Sequence, residues 1–66
     1  MKTQEQLDQI VDENMERVLT ARYGENYGED ERQLVGIVCG RNYSDFARKN
    51  ASLTKLTKLI DEYANR

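Results

Sequence analysis

An all-α fold is predicted: one small domain of three helices covering residues 1–66. Three observations carry it. Apolar residues recur at three- and four-residue spacing, as on one face of a helix. The chain has no proline to break such a helix. Only one run, Leu34 to Val38, is rich enough in β-branched residues to read as a strand. That run has no second strand in the chain to pair with, and an isolated strand is not viable. Pairing between chains is the minor alternative.

Helix 1 is expected at about residues 4–22. Thr3 followed by Gln6 is a capping-box pattern, and Glu5 in the first turn suits the positive end of the helix dipole. Leu7, Ile10, Val11, Met15, Val18 and Leu19 then form one apolar stripe. Gly24 stands where a left-handed cap would stop the helix.

Tyr23 to Asp30, with two Tyr-Gly pairs and Asn26, reads as a turn. Helix 2 is expected at about 30–40, with Asp30 and Gln33 as its capping pair. Helix 3 is expected at about 44–64 from an N-cap at Ser44, with Phe46, Leu53 and Ile60 repeating every seven residues. The favoured reading is one continuous helix bent near 50–52. The other is a short helix ending near Asn50 and a second one starting at Ser52.

Sixty-six residues bury only ~60% of the surface their unfolded chain exposes, so a helper such as a disulfide, a metal or self-association is expected. Cys39 is the only cysteine and there is no histidine, which leaves self-association and predicts neither a disulfide within the chain, a zinc site nor any cofactor. The N-terminus lacks the apolar run of a signal peptide and no segment reaches a membrane span, so a cytoplasmic setting without membrane contact is expected. The two glycosylation sequons, at Asn42 and Asn50, then read as chance.

Leu34, Val35, Ile37, Val38 and Cys39 cover more than one stripe of helix 2, as in a helix that is central or shared between subunits. Gly36 and Gly40 fall on one face, each costing ~1 kcal/mol relative to alanine. Two readings stay open. Gly40 ends the helix and Gly36 fills a tight place in the core, or both let another helix approach closely. The expected dimer or partner interface is therefore Leu34, Val35, Gly36, Ile37, Cys39 and Gly40, with Tyr23 and Tyr27 on the adjoining turn. Cys39 is read as a small packed hydrophobe, since no base is available to activate it. A phosphate loop is excluded: three residues separate the glycines, and Arg41-Asn42 follows them.

The formal charge of −2 is unevenly divided, −5 over residues 1–33 and +3 over residues 34–66. Asp8, Asp12 and Glu16 form an acidic line on helix 1 that reads as a solvated face. A continuous helix 3 would align Arg41, Arg48 and Lys55, with Lys49 and Lys58 beside them, as a basic ridge. That ridge complements the acidic face in antiparallel docking, or contacts a nucleic-acid backbone. A helix-turn-helix match around Ser44–Lys55 is weak, because the turn glycine is missing. Size and the Glu16-Arg17-Val18 triplet are similar to the small haemolysin-expression modulators. Their Asp-His-Arg segment and C-terminal tryptophan have no counterpart here, so no membership follows.

The function expected is a non-enzymatic interaction protein, a homodimer that binds and regulates a protein partner, of a size that suits a phage or mobile-element accessory protein. The alternative is a nucleic-acid-binding regulator using the basic ridge.

Overall fold

The computed structural model describes residues 2–65. Four helices follow in order: α1 (Gln4–Tyr23), α2 (Glu29–Arg41), α3 (Tyr43–Phe46) and α4 (Leu53–Ala64). The all-α class holds, with α1, α2 and α4 as the long members. They pack around one core, and α1 touches each of the other three.

The start of α1 follows the expected chemistry. Gln6 N–H donates to Thr3 Oγ1 at 3.1 Å, and Thr3 N–H donates to Gln6 Oε1 at 2.9 Å. Two of the N–H groups that a helix start leaves orphaned are thereby satisfied. Gly24 ends the helix, donating to Thr20 O at 2.9 Å. Its φ of +86° with ψ of 178° lies outside the left-handed helical region, in territory open only to glycine.

Helix α2 covers the expected span to within a residue at each end, but its caps differ from expectation. Its cap is Gly28, two residues before Asp30, and the Glu31 carboxylate accepts the Gly28 N–H at 3.1 Å. A Cβ on Gly28 would stand 2.8 Å from that carboxylate, so the close return of Glu31 uses the missing side chain. At the other end the helix runs through Gly40 and stops at Asn42, whose backbone N–H reaches Val38 O and whose side chain donates to the same oxygen at 3.0 Å. Gly40 is therefore not the stop.

The largest correction falls on residues 44–64, which do not form one helix. Ser44 lies inside the single turn α3 rather than capping it, and residues 47–52 form an irregular connector. Asn50 takes a φ of +68°, the only positive value at a non-glycine residue among the described residues. Asparagine tolerates this left-handed conformation better than other side chains, so it supplies the turn for which no glycine is present. Ser52 then caps α4 as expected, its hydroxyl accepting from Lys55 N–H at 3.4 Å.

What holds the connector open is a polar pair on α1. Asn14 Nδ2 donates to Phe46 O at 2.6 Å and to Arg48 O at 3.0 Å. Arg17 donates to Asn14 Oδ1 at 2.9 Å and to Ala51 O at 3.4 Å. A continuous helix would need those three carbonyls for its own N–H groups four residues on. Side chains of α1 take them instead.

The core joins Val11, Val18 and Leu19 of α1, Val35, Val38 and Cys39 of α2, Phe46, Ala51, and Leu56 and Ile60 of α4. Phe46 is wholly buried, so the one turn of α3 exists to deliver its ring into the centre. At the rim, Tyr43 on α3 donates to Asp8 Oδ1 and Tyr27 donates to Glu16, tying both ends of α2 back to α1.

Candidate interaction surface

The residues Leu34 to Gly40 divide sharply once α2 is packed. Val35, Val38 and Cys39 face inward and belong to the chain's own core, so Val35 and Cys39 offer a partner no surface. Leu34 is half-buried against the same core. Gln33, Ile37 and Gly40 point out to solvent, with Gly36 half-buried at the edge of their face. Their spacing of three and four residues places them on one side of the helix.

Ile37 is the one large hydrophobic residue that stands exposed among the described residues, at 49%. The glycines on either side of it have no steric cause among the described residues. A Cβ on Gly40 would meet nothing within 4 Å, and a Cβ on Gly36 would meet only the Met15 methyl at 3.9 Å, an ordinary contact. Alanine would fit both places and hold the helix better. The open question about Gly36 thus has an answer within one molecule: it borders the core loosely and fills no tight place there.

Tyr23 and Tyr27 do not extend this face. Both rings are half-buried against the core. Tyr23 receives a hydrogen bond from Arg22 Nε at 3.1 Å and lies below the same guanidinium. Tyr27 donates to Glu16 Oε1 at 2.5 Å, an interaction that raises its pKa because the neutral hydroxyl is the form that can donate. Tyr27 thereby staples the loop before α2 to α1, while Tyr23 bonds to its neighbour Arg22 within α1.

Arg41, Arg48, Lys49, Lys55 and Lys58 are all exposed, but the break at 47–52 separates them into groups. Arg41 sits over the Tyr63 ring, 5.5 Å from its centroid. Lys55 pairs with Asp45 at 3.1 Å. The ridge that a continuous helix would have aligned does not form. Nor does the expected docking of the acidic side of α1 on a basic α4: the ion pair between them joins Arg22 of α1 to Asp61 of α4, the reverse in sign.

Cys39 is buried, and burial pushes its thiol above the usual range, with Asp12 opposing the thiolate as a smaller cause. That is the opposite of an activated nucleophile. Among the described residues no three histidine, cysteine, aspartate or glutamate side chains gather as metal ligands, and no helix is long and apolar enough to cross a membrane.

Asn14 is the residue that sequence reasoning passed over. A signal was available, because it interrupts the apolar stripe midway between Val11 and Val18. A polar residue at such a position is either exposed by a kink or bonded to something irregular nearby, and here it is the latter.

Comparison of the chain with protein-family models, with curated proteins and with solved structures finds no match.

Proposed function

We propose that this chain is a non-enzymatic helical interaction protein that acts as a homodimer and regulates a protein partner. The observation that carries the reading is Ile37, half-exposed on the outer side of α2 between two glycines that its own fold does not require. An isoleucine left in water forgoes part of the ~1.5–3 kcal/mol its full burial contributes. Each glycine in the helix costs a further ~1 kcal/mol relative to alanine. Both costs are recovered when a second surface closes on this face, since the missing Cβ atoms allow close approach.

Two features favour a protein partner over a nucleic acid. The basic residues are dispersed, and Glu5, Asp12 and Glu13 on the outer side of α1 are exposed with no basic partner among the described residues. A polyanion meets repulsion there.

Sedimentation equilibrium at micromolar concentration tests the reading. Wild type is expected to dimerise, and Ile37→Asp to sediment as a monomer with unchanged helical circular dichroism. A wild-type chain that stays monomeric to the highest soluble concentration would remove it.

A further inference from the structure

The outer side of α2 carries opposite charges at its two ends. Glu29 and Asp30 are exposed in its first turn, and Arg41 is exposed in its last. Asp30, Ile37 and Arg41 follow at intervals of seven and four residues, so they lie along one strip with Ile37 between the charges. The eleven residue steps from Asp30 to Arg41 span on the order of 16 Å. No ion pair among the described residues neutralises these ends. Among the described residues neither Glu29 nor Asp30 has an ion-pair partner, and Arg41 has only the Tyr63 ring.

A strip that is acidic at one end, apolar in the middle and basic at the other complements itself in one orientation. Laid antiparallel, each basic end meets an acidic end. Laid parallel, like charges face each other at both ends. Resting on the reading of this face as the dimer contact, we infer that its occupant is α2 of a second copy, antiparallel across a two-fold axis at the level of Val35 and Gly36. Arg41 of each copy then stands at the level of Asp30 of the other. Ile37 of each copy then packs near the edge of the other's strip, where Gly36 lies half-buried beside Met15.

The two helix dipoles oppose each other in the same arrangement, which adds to the preference. The contact is isologous, so every interaction occurs twice. One face of a thirteen-residue helix covers only a few hundred Å², well below the ~800 Å² per partner of a standard interface. A contact of that size suits a weak, reversible dimer.

Charge exchange measured by sedimentation equilibrium at low salt tests the orientation. Arg41→Glu and Asp30→Lys each replace two attractive pairs by two repulsive ones, and each is expected to weaken dimerisation about tenfold. The double variant restores both pairs with their signs exchanged and returns to near wild-type affinity. Helical circular dichroism separates these effects from a loss of fold. If the single variants dimerise as well as wild type, or the double variant stays weak, the antiparallel arrangement is wrong while the dimer stands. If wild type itself is monomeric, the dimer reading beneath it fails.

Discussion

Asn14 on α1 is 3% exposed and Ile37 on α2 is 49% exposed, so a polar side chain lies inside the molecule and an apolar one outside. Both go against the ordinary partition of residues, and such exceptions are more informative than the residues that obey it. Their difference is that the fold answers one and not the other. Every polar atom of Asn14 has a partner: two carbonyls for its amide hydrogens and the Arg17 guanidinium for its oxygen. Among the described residues nothing covers the exposed half of Ile37. A buried exception that is satisfied explains architecture, here the break between α3 and α4. An exposed exception that is unsatisfied points outward.

The greatest effect is expected where the internal exception is removed. Asn14→Leu keeps an apolar shape of similar size but leaves Phe46 O without its donor and Arg48 O with only the Ala51 N–H, at 3.2 Å. Leaving such groups unmade costs roughly 1–3 kcal/mol. A chain of 66 residues has only about 3–10 kcal/mol of total stability, so urea unfolding should show a large drop in midpoint. Loss should concentrate in the connector, seen as faster amide exchange over residues 47–52. An unchanged midpoint would show that water serves those carbonyls as well as Asn14 does, and the contrast with Ile37 would lose one side.

Gly40→Ala sharpens the other side, because its two readouts should move in opposite directions. With φ in the ordinary helical range and open space around the site, alanine should stabilise the monomer by up to ~1 kcal/mol. The same methyl group holds a second helix further off and should weaken dimerisation. Thermal melting of dilute protein reads the first, and sedimentation the second. A variant that is both more stable and equally dimeric would place the contact away from Gly40.

How much of this was legible in the sequence follows from where the deciding partners lie. The two ends of α1 were, because Thr3, Gln6 and Gly24 act on backbone within four residues of themselves. The cap at Ser52 was local too. The division of 44–64 was not, because its cause is Asn14 and Arg17, more than thirty residues earlier, competing for carbonyls that a local reading assigns to the helix. For the candidate interface, periodicity placed Ile37 and the glycines on α2. It did not separate them from Val35 and Cys39, since a helix apolar on several sides does not declare which side its neighbours will cover. The basic ridge depended on a continuous helix and disappeared with it.

The smallest effect expected is a pH dependence, and it falls on Cys39, which faces inward from α2. Burial holds its thiol above the ordinary value of ~8.5, and Asp12 adds to the shift in the same direction. A group whose pKa is raised by folding contributes stability fully below its unfolded pKa. The contribution is lost as pH rises from there through the folded value. Stability should therefore decline from about pH 8.5 upward. Tyr27 and Tyr43 are raised for a different reason, donation to Glu16 and Asp8, and they act in the same sense above about pH 10. Urea midpoints of wild type and Cys39→Ala between pH 7.5 and 9.5 isolate the thiol, since only the wild type should lose ground in that interval. Equal slopes would mean the thiol ionises as readily in the fold as out of it. Cys39 would then share the open side of α2 with Ile37, and the division of that helix into an inner and an outer face would need redrawing.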